Sequence, residues 1–515
     1  MMTLSRLWLL TLIFSYARSK DEKFLQLVSK PYFVDKSLLL ETLLSDDTPA
    51  HLYISTPRRL GKTTILSMIE KFLKIQVDKF GMPIRFNDTD TYQIFKNLKI
   101  RQNRKLFSLH MAQYPVLSFS LQQISKRTYR YSITSLNSEL VEALDNILWS
   151  KFLKRFFEYH RELFAATHDR DLKFIGKLRK RKLNRHEMEN ALFVLSRMLY
   201  HYFGKTPVII LIDHYDQAAL NSFRYDNANI TLTYDLINNM VLRALNQGPK
   251  YIRNIIMTGV TSLPYSHRSL LPSKVTHMPF LEDHIFTPFF GLSRSELFEL
   301  FDRYSCDVIE RKAIRKYYKA YQTANQKELV YNTYSITRYF MNNKEFEEPE
   351  QQGLVSFWRQ AELEDGTLPL IYSDPFRNQI KQLLVDRSIN YTMLKYHHKE
   401  SLFQLQRQRE SRFKNFERRS MSLFLKIYFE FGYLGYGPES DIYIIPNIEV
   451  RQILKHQLRN YQQDMMAITE SKTKTTSAVV REDEDYEEMN DGSSYETNED
   501  RDQDYQQSDD EQSDD

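Results

Sequence analysis

Hydrophobic positions along the chain fall into distinct patterns, and each predicts a different element. Val208-Ile209-Ile210-Leu211-Ile212 is an unbroken apolar run closed by Asp213. That is the pattern of a strand buried on both faces of a parallel sheet, delivering its acid to the sheet's carboxyl edge. Leu52-Tyr53-Ile54 is a shorter run of the same kind, and Ile252 to Met257 is another, leading into Thr258-Gly259-Val260. Pro115 to Leu121 alternates apolar and polar side chains, which also predicts a strand, and Phe286 to Leu292 supplies a fifth candidate. Helical spacing is found in Ile65, Leu66, Met68, Ile69 and Phe72, in Leu38 to Leu44, and through most of 293–460. Ser293 and Glu296 stand three apart, an N-cap and capping-box pair for the helix that opens this last stretch. Strands alternating with helices predict a three-layer α/β core over residues 20–292, followed by a helical region over 293–463. Within that region Phe431 to Tyr436 and Tyr443 to Val450 read as a small hairpin and a closing helix.

The chemistry-bearing residues lie where these strands end. Thr56-Pro57-Arg58-Arg59-Leu60-Gly61-Lys62-Thr63 follows the first strand and opens the first long helix. A strand entering a Gly-Lys-Thr turn ahead of a helix reads as a phosphate-binding loop. Gly61 lets the backbone close round an anion, and the N–H groups that open the helix point at phosphate. Lys62 would reach the β- and γ-phosphates and the Thr63 hydroxyl would ligate Mg²⁺, with Thr64 beside them. Thr56 stands where a Walker A loop starts with Gly. Asp213 supplies the second half of the pattern, a Walker B acid that supports the metal. Together they predict a P-loop NTPase.

The wording of these strings is more specific than the general pattern. Phe33-Val34-Asp35-Lys36, the PRRxGK string at Pro57 to Lys62, Ile212-Asp213-His214-Tyr215-Asp216 and Thr258-Gly259-Val260 resemble the AAA-ATPase-like family. Bacterial members of this family often carry a PD-(D/E)XK nuclease domain behind the ATPase. The resemblance extends over roughly residues 30 to 455. Tyr331 to Ile336, Phe357-Trp358 and the stretch from Leu434 to Val450 match its later landmarks, and it implies a small winged-helix-like module there. It further implies that Arg58 or Arg59 steadies the charge of bound ATP, that Thr258 senses the γ-phosphate or positions water, and that the residue after Asp213 orients the attacking water. The family has an acid there, usually Glu; this chain has His214, with Asp216 two residues on as the other candidate. Beyond residue 455 no strand-borne acid and no Glu-x-Lys on an apolar strand follows, so no nuclease is expected.

Composition then sets the frame. In 515 residues, 42% of them hydrophobic, there is apolar material for two or three domains. Arg6, the apolar run Leu7 to Phe14 and Ala17-Arg18-Ser19 read as a signal peptide over residues 1–19, with an apolar core far shorter than the ~20 residues of a spanning helix. The mature protein is therefore expected to be secreted, extracellular and free of the membrane. Asn87, Asn229 and Asn390 head sequons that permit glycosylation in an exported chain. The single cysteine, Cys306, excludes an internal disulfide and reads as a packed residue. Residues 481–515 hold 17 acids against 2 arginines, a balance of −15, so the rest of a chain whose total is +5 carries +20. With little apolar material to fold around, residues 464–515 read as a disordered acidic tail, which either screens the basic body or keeps the protein soluble.

The basic knots, Lys177 to Arg185 and Arg407 to Arg419, fit solvated faces better than nucleic-acid surfaces, and His397-His398 lacks zinc spacing. Two functions are compatible with all this. In one, the protein binds ATP–Mg²⁺ through the loop with weak or absent hydrolysis, His214 being poorly made to orient water. In the other, it is a secreted effector or binding protein that keeps the NTPase fold and uses its surface on an unidentified protein partner.

Overall fold

The computed structural model describes residues 23–78, 82–123, 144, 169–180, 182–217, 220, 230–262, 274–282, 284–324, 329–345, 353–358, 373–391, 418–439 and 441–466. The leader at 1–19, Asn229, His397-His398, most of the Arg407–Arg419 cluster and the acidic tail from 467 lie outside the described residues. The chain separates into two compact units, Met1–Gln457 and Leu458–Asp515. The first holds all the described strands; of the second, the described residues are the later turns of one helix.

Five parallel strands form the main sheet in the order β2-β3-β4-β1-β5: β1 (His51–Ser55), β2 (Val116–Ser120), β3 (Val208–Asp213), β4 (Ile252–Gly259) and β5 (Thr276–Pro279). All six residues of β3 are buried, and since successive side chains point to opposite faces, both faces of the sheet are covered there. Helix α3 (Lys62–Leu73), preceded by α1 (Lys23–Val28) and α2 (Leu39–Leu44), packs on β2 and β3, while α4 (Ala191–Tyr202) packs on β3 and on α5 (Ile230–Gln247). The register pairs Ser120 with Asp213, Ile54 with Thr258 and Ser55 with Gly259. The polar exits of four strands thus meet at one sheet edge.

The fifth strand is not where the apolar pattern put it. Thr287–Phe289 is a 3-10 turn with Pro288 in its first positions, and Pro has no N–H to donate to a ladder. The phenylalanines that made this stretch look like a strand, Phe286 and Phe290, are 0% and 1% exposed, plugs of the core rather than ladder residues. Thr276-His277-Met278-Pro279 takes the edge beside β1 instead.

Past Ser293, whose hydroxyl accepts from Glu296 N in the predicted capping box, run α6 (Arg294–Arg303), α7 (Val308–Tyr317), a short pair β6 (Tyr321–Gln322) and β7 (Leu329–Val330), and α8 (Thr333–Phe340). Their apolar faces share a core around Leu297, Phe301, Tyr318, Ile336 and Phe340, which encloses Cys306. α9 (Asp374–Asp386), β8 (Ser388–Asn390), α10 (Arg418–Phe431), β9 (Gly435–Tyr436), β10 (Ile442–Ile444) and α11 (Ile448–Met466) follow, with the three strands antiparallel in the order β8-β10-β9. The hairpin and closing helix stand where they were predicted. In the first basic knot, Lys177 pairs with Glu187 and Arg185 with Glu189. Among the described residues no helix is long and apolar enough to cross a membrane.

Candidate functional site

The loop between β1 and α3 is fixed by its carbonyls. Those of Thr56 and Pro57 accept from the buried Lys62 Nζ at 2.8 and 2.7 Å. Arg58 O accepts from Asn332 Nδ2 at 3.3 Å, Arg59 O from Tyr334 N at 3.2 Å, Leu60 O from Gly291 N at 3.0 Å and Gly61 O from Ile65 N at 3.0 Å. With the carbonyls engaged one after another, and Thr56 N and Arg58 N donating to Gly259 O and Phe431 O, the amide N–H groups offered to an anion are those of the turn into α3, the groups a helix start leaves over. Gly61 has φ +92° and an added Cβ would meet nothing within 4 Å, so the turn needs glycine for its backbone angle alone. Burial lowers the Lys62 ammonium to about 8, with the Arg58 and Arg59 charges adding to the effect and Asp213 and Asp216 opposing it.

Asp213 joins three elements. Its Oδ2 accepts from Thr63 Oγ1 at 2.7 Å and its Oδ1 from Thr258 Oγ1 at 2.7 Å, so one carboxylate ties the loop to the end of β4. His214 N donates to Oδ1 at 2.9 Å, and His214 Nδ1 lies 3.0 Å from Oδ2 and 3.2 Å from Ser120 Oγ. Burial opposes ionisation of Asp213, but the charge on His214 and the hydrogen bonds from His214, Thr63 and Thr258 outweigh it and hold the carboxyl well below its usual range. His214 itself has φ 56°, a left-handed backbone rare outside glycine.

Asp216 has a different task. Its Oδ2 accepts from Val260 N at 2.9 Å, Thr261 N at 2.7 Å and Thr261 Oγ1 at 2.9 Å, stapling the strand exit after β4. Burial raises its pKa, against those same bonds and the Lys62 charge. Gly259 is confined here: a Cβ would sit 2.1 Å from Tyr53 Oη and 2.8 Å from Asp216 Oδ1. The buried Tyr53 hydroxyl donates to Thr261 O at 2.5 Å and cannot easily retreat.

Lys62, Thr63, Asp213, His214 and Thr258 are therefore brought together as the sequence predicted, with Gly61 at the turn. Arg58 and Arg59 stand otherwise: their guanidiniums lie over the rings of Phe431 and Tyr334, 4.3 and 4.7 Å from the centroids. Thr64 faces a hollow that sequence reasoning missed, with about 580 Å³ of empty volume, part of it open to solvent. Gly61, Thr64 and Ile65 form one wall, and Phe24, Phe33, Val34 and Phe289 are among the residues of the others. The i, i+3 spacing of Phe24 and Leu27 was the legible trace of it, an apolar helix face just before Phe33. Ser120 was also missed; it closes an alternating strand, and nothing in its neighbours marks it.

Residues 22–267 match the family model AAA-ATPase-like, described as predicted AAA-ATPase. No curated protein matches. Among solved structures, the ORC2 protein of Aeropyrum pernix, in its ADPNP–ADP complexes, is similar over 86% of this chain and 94% of its own at 12% identity, with a TM-score of 0.32. The matched segment contains the loop, the Asp213 strand and the Thr258 strand, and over it the chain matches the AAA-ATPase-like model.

Proposed function

We propose that the protein binds a nucleoside triphosphate, ATP with Mg²⁺, at the loop Thr56 to Thr63 and turns it over slowly or not at all. The observation that carries this reading is the Asp213 carboxylate, which accepts from Thr63 and Thr258 at 2.7 Å each, Thr63 being the helical residue that follows the buried Lys62. In this reading Lys62 exchanges its two carbonyls for phosphate oxygens, the N–H groups of the first turn of α3 receive the others, and the apolar hollow beside Thr64 takes the base.

The residues fit a hard divalent cation: a hydroxyl and an ionised carboxylate converge, both oxygen donors. Among the described residues no group of three or more His, Cys, Asp and Glu is placed to hold a metal. Thr63 and Asp213 would hold Mg²⁺ jointly with phosphate and water. When bound, the ion supplies neutralisation of charge on the phosphate oxygens.

Slow turnover follows from position 214. His214 Nδ1 faces both Asp213 and Ser120, and Asp216 is committed to the backbone of Val260 and Thr261. Neither is free to take the role of the family's glutamate. The second reading, a binding protein that keeps the loop as architecture, is favoured by one observation: Lys62 is already satisfied by the loop's own carbonyls. We further read the stretch from α9 to the start of α11 as winged-helix-like, supported by its helix–strand–helix–hairpin–helix order and the antiparallel β8-β10-β9 arrangement.

Calorimetric titration with Mg–ATP, alongside a hydrolysis assay, tests the proposal. Binding in the micromolar range that Lys62→Ala abolishes, with little turnover, is expected. No binding at millimolar Mg–ATP would overturn it in favour of the second reading.

A further inference from the structure

The two loop arginines were expected at phosphate, and both instead lie over aromatic rings from the C-terminal half of the chain. Neither contact is a lone stacking. Arg58 N donates to Phe431 O at 3.4 Å while its guanidinium covers the Phe431 ring, and Gly432, with φ +88°, would bring a Cβ to 3.1 Å from Pro57. On the other side Tyr334 N donates to Arg59 O while the Tyr334 ring lies under the Arg59 guanidinium, and Asn332 Nδ2 donates to Arg58 O. Arg59 has φ 69°, a left-handed conformation that a non-glycine residue keeps only when its surroundings over-determine it. Tyr334, and Asn332 on the neighbouring carbonyl, are part of those surroundings.

All the residues that grip the loop in this way lie outside 22–267, the segment the family model matches. We propose that Tyr334, Asn332 and Phe431 are positioning residues for nucleotide binding: they hold Arg58 and Arg59 so that the N–H groups that open α3 face the anion. The AAA-ATPase-like segment thus carries the phosphate loop without the clamp on its outer face, and Arg58 and Arg59 are anchors rather than phosphate ligands. The inference rests on the reading that a nucleotide binds this loop.

Tyr334 is the residue to change, because its backbone N–H survives substitution and it stands in the first turn of α8, where leucine is a good helix former. Hydrogen exchange of the nucleotide-free full chain is measured for wild type, Tyr334→Leu and Tyr334→Phe, together with Mg–ATP titration. A half-buried cation–π contact corresponds to about threefold to tenfold in an equilibrium. Amides 59–64 should exchange faster by about that factor in Tyr334→Leu and as in wild type in Tyr334→Phe, with β3 amides unchanged in both. Mg–ATP affinity should weaken by a similar factor in the leucine variant and recover in the phenylalanine one. Should Tyr334→Leu lower the melting temperature, Arg59→Gln removes the cation and leaves the ring, and the same acceleration is expected. Unchanged loop exchange in both Tyr334→Leu and Arg59→Gln, or equal change in Tyr334→Phe, overturns the inference. Faster loop exchange in a protein that binds no Mg–ATP would leave the clamp standing and remove the nucleotide reading.

Discussion

Glu449 gives the sharpest test of how the C-terminal half is held. It is 1% exposed, in the first turn of α11, and its Oε2 accepts from Ser335 Oγ at 2.6 Å while Oε1 accepts from Trp358 N at 3.1 Å. No lysine or arginine among the described residues forms an ion pair with it. Burial pushes its pKa up to about 7, against hydrogen bonds from Ser335, Trp358 and Phe357 that favour the charged form. The folded chain therefore holds this proton more tightly than the unfolded one. Its contribution to stability is complete below the ordinary value of 4.5 and is lost as pH rises to about 7. That interval, at about 1.4 kcal/mol per pH unit, comes to about 3 kcal/mol. Asp213 and Asp216 titrate with opposite signs, so the quantity to follow is a difference. Urea unfolding of wild type and Glu449→Gln from pH 4.5 to 8 should show the glutamine variant gaining about 3 kcal/mol on wild type across the range. Glutamine keeps an acceptor for Trp358 N and a group for Ser335 while carrying no charge. Two curves that stay parallel within about 1 kcal/mol would show that Glu449 is not the buried, unpaired acid described.

Other predictions concern the loop and the strand ends. Because the free Lys62 titrates at about 8, Mg–ATP affinity should hold below that pH and fall up to tenfold per unit above it, since binding must then recruit a proton; in Lys62→Arg the fall should vanish, as titration across pH 7–9.5 would reveal. Asp216→Ala strands three buried donors at about 1–3 kcal/mol each, so unfolding should show a loss of about 3–9 kcal/mol, whereas Asp216→Asn, which still accepts and sheds a charge that burial disfavours, should lose far less. A folded Asp216→Asn that lost all hydrolysis would assign that residue to the chemistry. His214→Glu should raise turnover at least about tenfold with affinity kept within about threefold, judged by phosphate release and titration.

Much of this was legible because it is local. Val208 to Ile212 could only be a strand covered on both faces, and Lys62, Thr63 and Asp213 sit at positions dictated by strand ends a few residues away. β5 was illegible because Thr276-His277-Met278-Pro279 is short, half-buried and closed by proline, an edge strand specified by its neighbour β1 rather than by its own pattern. Phe286 and Phe290 misled for the converse reason: core plugs on a 3-10 turn carry the same apolar signal as a strand. The aromatic partners of Arg58 and Arg59 were out of reach, since cation–π contacts have no sequence spacing. Asp216 looked catalytic from its string alone, and only the backbone of Val260 and Thr261 shows what it holds.

The grip of Phe431 and Gly432 on Pro57 and Arg58 also sets a clock. From Thr64 to Gly432 the chain is 369 residues long, and at about 5–20 residues per second a ribosome needs roughly 20–75 s to make them. During that interval the strands β1 to β4 can pair, yet the loop's outer face waits for rings that do not yet exist. In a newborn chain β1 to β4 can thus be complete before Phe431 and Gly432 exist to close the outer face of the loop, and on the proposed reading nucleotide binding would wait for α10 to fold back.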